Sequence, residues 1–149
     1  MASRSAKDSS SRPHHPDIIE FVPRQRVRHC VQALLAALAP DADRPAARRM
    51  IADARATFGD DLVAELQRAL ERGSAEDAVA AVTILLELAT DAARNALWSL
   101  ARDASYHPAL RLEALRGLYQ QGADVPISQL VELANLCERN PRPRDRDFS

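Results

Sequence analysis

Arg94, Trp98 and Arg102 follow one another at intervals of four residues, the spacing that aligns side chains along one face of a helix. Tryptophan and arginine are the types most enriched at protein-contact hot spots. An indole between guanidinium groups can equally stack on nucleic-acid bases while the cations meet phosphates. If Ala93, Ala96, Leu97 and Leu100 face a core, the trio lies on the opposite, solvent-facing side. An approximate repeat brings Arg68 and Arg72 of an earlier helix, and Glu132 of a later one, onto the corresponding face. Arg68, Arg72, Arg94, Trp98, Arg102 and Glu132 are therefore the candidate partner-binding ridge. The competing reading lays Trp98 flat over the groove between helices, its ring covered by arginine stems through cation–π contact worth about 0.5 to 1 kcal/mol.

No other constellation carries chemistry. The chain has no glycine-rich phosphate loop, nucleophile elbow or HExxH, and four glycines allow few backbone cradles. His14 and His15 fall in a polar stretch with no preorganised geometry for a metal. His29 and Cys30 are adjacent, about 100° apart on a helix, a poor ligand pair. His107 suits a helix start, and Asp60 and Asp61 sit where negative charge favours a helix N-terminus. Cys30 and Cys137 lie far apart, outside any CxxC or Cys/His spacing, and are expected as small core residues or free thiols. Neither catalysis, a metal nor a cofactor is expected.

Helices must position these residues. Ala78, Val82 and Leu86 superpose on Leu110, Ala114 and Leu118 after about 32 residues, a period that signals stacked helical repeats. Ala93, Ala96, Leu97 and Leu100 superpose on Ile127, Leu130, Val131 and Ala134 after about 34 residues, the extra two placed in the loop from Gly122 to Val125. Ahead of these repeats, Val27, Val31, Leu34, Leu35 and Leu38 form one stripe. A second helix starts near Pro45 and stops at Gly59, and a third carries Val63, Leu66 and Leu70 and stops at Gly73. Ser74 with Asp77 opens the fourth helix, Asp91 can cap the fifth, His107 and Pro108 open the sixth, and the seventh begins near Pro126 and ends before Asn140.

Composition agrees with an all-α fold. Alanine and leucine dominate an apolar content of 46%, and both favour helix. Twenty basic against twenty-one acidic residues leave a net charge of −1, which argues against nucleic acid or an anionic membrane as partner. No stretch is long and apolar enough to span a bilayer and none reads as a signal peptide, so a cytoplasmic protein is expected. Residues 1–23 are expected as a disordered tail containing the apolar island Ile18, Ile19, Phe21 and Val22. That island is expected to be extended, because Pro23 disfavours helix before it. Residues 24–140 form the helical repeat domain, and 141–149 a second disordered tail.

The pattern Leu110, Arg111, Ala114, Leu118 after Asp103 and Pro108, with its counterpart Ala78, Val82, Leu86, resembles the bacterial HEAT-like repeats that include the phycobilin-lyase type. The likeness covers roughly residues 60–140, while 24–59 departs from it and reads as a degenerate capping repeat. The resemblance implies an α-α superhelix, a short HEAT-like solenoid of about seven helices, whose second helices line a concave surface for protein contacts. It implies no catalytic residues.

The expected role is a non-catalytic adaptor or scaffold. A nucleic-acid reader using Arg68, Arg72, Arg94 and Arg102 with Trp98, and a non-catalytic subunit of a chromophore lyase, are the alternatives. The last helix has no successor, and Leu133 and Leu136 fall outside its stripe. They are the candidate self-association contacts, which adds a homodimer to the partner states open to the chain.

Overall fold

The computed structural model describes residues 16–38 and 43–139, with side chains from residue 24 onward. Seven helices follow in chain order: α1 (Pro16–Ala37), α2 (Arg44–Phe58), α3 (Asp61–Arg72), α4 (Ala75–Leu88), α5 (Asp91–Arg102), α6 (Pro108–Gln120) and α7 (Ile127–Arg139). No strand occurs among the described residues.

Most boundaries have local causes. Asp43 accepts from the Ala46 N–H at 3.3 Å and Pro45 sits in the first turn of α2, where its missing N–H costs nothing. The Ser74 hydroxyl caps α4 through the Asp77 N–H at 3.1 Å. Thr90, rather than Asp91, caps α5 by accepting from the Ala93 N–H at 3.1 Å, which leaves Asp91 in the first turn where its charge suits the helix dipole. His107 opens α6, its Nδ1 accepting from the Ala109 N–H at 3.1 Å just ahead of Pro108. Gly59 ends α2 at φ 56°, a conformation cheap only for glycine. Ala89 ends α4 in the left-handed region, φ 54° and ψ 25°, although it carries a β-carbon.

The helices stack in two layers. α1 packs on α3 and α3 on α5; α2 packs on α4 and α4 on α6; consecutive helices join the layers. α4 sits at the centre, and Ala78, Ala80, Ala81, Val82, Ile84, Leu85 and Leu88 bury most of its circumference. Against it lie Val27, Val31 and Leu34 of α1, Leu62 and Leu66 of α3, Leu97 of α5, and Leu115 and Leu118 of α6, in one continuous core. The layers close unequally. α4 packs against α6 at Gly117, where a β-carbon would run into the Leu86 methyls. No Cα pair of α5 and α7 comes within 8 Å. At this end, successive units therefore approach more closely in the α4–α6 layer than in the α5–α7 layer.

Two expectations change, and a third falls mostly outside the described residues. The backbone from residue 16 to 23 is helical and α1 runs through Pro23. The bias of the residue before proline is a preference that a 22-residue helix overrides. Residues 1–15 and 140–149, and with them His14, His15, the first fifteen residues of the expected N-terminal tail and the whole expected C-terminal tail, lie outside the described residues. The second change concerns α7. Leu133 is buried at 4% exposure and Leu136 packs partly buried on the core, whereas Ile127 and Val131 are 58% and 53% exposed. Leu133 therefore belongs to the inner face and cannot serve as an outward contact, while Leu136 leans on the core and is only partly open to solvent. The reason is the register. Leu118 takes the inward place of Leu85, and Leu130 that of Leu97, with the same sequence interval in both pairs, so no insertion separates the second helices.

Two stability changes follow. Leu133→Ala should lower unfolding free energy in urea by about 2–5 kcal/mol, as a core truncation does, and Leu133→Glu should lower it further by burying a charge. Ala89→Gly should raise stability by about 0.5–1 kcal/mol, since relief of a left-handed alanine outweighs the added unfolded-state entropy of glycine. Equal stability of the alanine and glycine proteins in the same urea titration would contradict this.

Candidate functional site

Trp98 projects from one flank of α5 and is half-buried, packed against the core cluster. The Arg102 guanidinium carbon lies 5.1 Å from the ring centroid, within cation–π range. One turn back, Arg94 turns aside to Asp91, Nη1 to Oδ1 3.2 Å. The trio is thus contiguous on one flank, but one arginine stacks on the indole and the other is tied to its own first turn. The ring covers core residues, and part of it still meets solvent.

The other proposed ridge residues do not join this surface. Burial patterns align α3, α5 and α7 through Leu66, Leu97 and Leu130. In that register the places of Arg94 and Trp98 are held by Val63 and Gln67 on α3 and by Ile127 and Val131 on α7. Arg68 and Glu132 share instead the place of Ser99, one residue and about 100° away. Arg72 falls at the place of Asp103, beyond α5.

Arg68 already has a partner. Its Nη1 meets Glu65 Oε1 at 2.6 Å, and Glu65, only 8% exposed, also lies 4.0 Å from the Arg28 Nε of α1. This is a knot between α1 and α3, which the one-turn spacing of Glu65 and Arg68 could have suggested. Arg72 and Glu132 are exposed and form no ion pair among the described residues.

Sequence reasoning missed the exposed apolar residues at the far end, Tyr119 at 51%, Ile127 at 58% and Val131 at 53%. The signal was present in the repeat. Tyr119 stands one repeat after Leu86, the side chain that meets the following unit at Gly117.

Titratable groups elsewhere do structural work. Hydrogen bonds from the Ser105 hydroxyl (2.7 Å) and N–H (2.9 Å), with Arg111 adding attraction, hold the Asp103 carboxyl below its ordinary range in the turn before α6. The Arg111 Nε donates to the Ala101 carbonyl at 2.9 Å, fastening that turn to α5. Burial pushes the Tyr106 phenol and the Cys30 thiol up, so Cys30 is a poor nucleophile at neutral pH. Cys30 and Cys137 are both partly buried and are not joined in a disulfide.

A shallow hollow of about 330 Å³ between α2 and α4 is lined by Arg48, Ile51, Ala52, Arg55, Ala56 and Glu87, with Arg48 Nε 3.6 Å from Glu87. It joins a cation to a carboxylate and contains no nucleophile beside a base. No group of three or more His, Cys, Asp or Glu positioned to hold a metal occurs among the described residues. Likewise no described helix is long and apolar enough to cross a membrane. No protein-family model, curated protein or solved structure matches the chain.

The two arginines of α3 should separate cleanly. Arg68→Ala leaves Glu65 buried with only the longer Arg28 contact, and should cost about 1.5–3 kcal/mol in chemical unfolding. Arg72→Ala should stay within about 0.5 kcal/mol of wild type. Equal effects would mean that the Glu65 knot contributes nothing.

Proposed function

We propose that this chain is a non-catalytic protein-interaction module, an adaptor or scaffold of the HEAT-like helical-repeat kind, which docks a protein partner on the outer flank of α5 through Trp98, Arg94 and Arg102. One observation carries the reading: a half-buried indole with a guanidinium stacked on it, on a flank that α7 does not close. An aromatic anchor seated on the core loses little side-chain freedom on binding. Its remaining exposed surface, framed by cations, is the composition that dominates interface hot spots.

Protein is favoured over phosphate because two of the four arginines that a nucleic acid would need, Arg68 and Arg94, are engaged by Glu65 and Asp91. Stacked helix pairs of this form present surfaces to partners without chemistry of their own.

The test compares wild type with the Trp98→Ala, Arg94→Glu double variant. Each is used to retain proteins from a cytoplasmic extract, with mass spectrometry of what is held and calorimetry on the partner so identified. Loss of a hot-spot pair should weaken binding by about 30-fold or more, the equivalent of about 2 kcal/mol. Retention of the same set with the same affinity by both proteins would overturn the proposal. So would an affinity that falls a thousandfold between about 50 and 200 mM salt, the signature of phosphate contacts.

A further inference from the structure

We propose that the open end of the array, formed by α6 and α7, docks a second copy of this chain, tail end to tail end, through Tyr119, Ile127 and Val131.

Equivalent places along the repeat support this. Val63 on α3, where α5 packs alongside, is 6% exposed. Its counterpart on α5 is Arg94, which is intermediate, and its counterpart on α7 is Ile127, which is 58% exposed. In the other layer Leu86 meets Gly117 of the next unit, while Tyr119, at the same place one repeat on, meets no further helix among the described residues and is 51% exposed. Val131 takes the place of Trp98 and is 53% exposed. Tyr119 and Ile127 therefore stand where earlier units contact the next one, at the places of Leu86 and Val63, and Val131 lies one turn on from Ile127 on the same exposed face. The end has the form of an inter-repeat interface whose other half is missing, and continuity with that internal interface is the first argument for docking.

Chemistry selects the occupant. The opposite end is built from α1 and α2, and residues 24–58 hold seven arginines against three aspartates. A head-to-tail stack would press that arginine-rich end on Ile127 and Val131 and desolvate guanidinium groups without partners. Tail against tail buries apolar on apolar. The last unit, residues 108–139, carries three arginines and four acidic residues, so two such ends repel one another little. The pairing closes as a two-fold dimer, the commonest symmetric assembly. Its size is modest. Two 13-residue helices side by side offer a face of roughly 20 by 20 Å, about 800 Å² over both copies and below the standard size of specific interfaces, so the dimer should be weak and reversible, assembling in the upper micromolar range.

The experiment is light scattering with sedimentation equilibrium on the full chain from about 5 to 500 µM, a window that brackets micromolar association. Wild type should rise from 16.4 kDa toward twice that mass. Ile127→Glu with Val131→Glu should remain monomeric throughout, with helix content by circular dichroism unchanged because both sites are exposed. Tyr119→Glu alone should weaken the dimer about tenfold or more. Arg48→Glu with Arg49→Glu, which would break a head-to-tail stack, should leave it intact. A wild type that stays monomeric over the whole range overturns the proposal, whether the end is bare or covered by residues 140–149. So does a dimer that survives the double glutamate variant, or one lost in the Arg48, Arg49 variant.

Discussion

A helix pair in this protein can bury only as much apolar surface as the next pair covers, and the rest of the structure depends on that dependence. α4 is flanked on both sides within its layer and is apolar around most of its circumference. α7, at the last position, keeps a single buried residue, Leu133, with Leu130, Leu136 and neighbours only partly covered. Stability in such a stack accumulates from each unit and each junction rather than from one central core. The junction between α4 and α6 shows how tightly it is set: Gly117 has no side chain because Leu86 occupies the space. Between α5 and α7 there is no such approach. That difference opens the outer flank and leaves Trp98 half-covered.

Helix identity and order were legible because their signals are local. Ser74, Pro108, Gly59 and Gly73 each act within one turn, and the stripe Val27, Val31, Leu34 needs only a period. Thr90 rather than Asp91 at the cap of α5 is a one-residue displacement between two competent capping types. The inward face of α7 was not legible in the same way. Ile127, Leu130, Val131, Leu133, Ala134, Leu136 and Cys137 surround most of that helix with apolar side chains, and a period of 3.6 fits more than one stripe through them. Only the position of α6 decides between the stripes, and that is tertiary information. Pro23 is a similar case. A local bias points one way, and the helix formed by the residues around it prevails.

The candidate site was legible as a trio and misread as a ridge. Arg94, Trp98 and Arg102 share a flank because their spacing lies within one helix and is immune to register error. Arg68, Arg72 and Glu132 were added across helices, where an error of one residue turns a side chain by about 100°. Arg68 then pairs with Glu65, which also lies near Arg28 of α1, while Trp98 stacks with Arg102 on α5. A cation that looked available in sequence is a structural partner. The interaction reading proposed for this chain therefore rests on a smaller and more aromatic surface than the arginine count suggested.

Net charge conceals an uneven distribution that explains why the first two helices depart from the repeat. Residues 24–58 carry a surplus of four positive charges, whereas residues 59–107 hold nine acidic side chains against four arginines. The contrast is used inside the molecule. Arg28 of α1 reaches Glu65 of α3, and Arg48 of α2 reaches Glu87 of α4, so each layer has an ion pair joining the basic starting unit to the acidic unit behind it. At 4.0 and 3.6 Å, with both arginines more than half exposed, each is worth about 0–1 kcal/mol. Val27, Val31, Leu34, Ala47, Ile51 and Ala54 supply most of the attachment. What the ion pairs add is direction, because apolar stripes on short helices slide at little cost while a misplaced cation against a carboxylate-poor neighbour does not. A capping unit held this way need not reproduce the leucine and glycine contacts of the inner repeats. It can show arginine to solvent on its outer side, as the exposed Arg24, Arg26, Arg44 and Arg49 do.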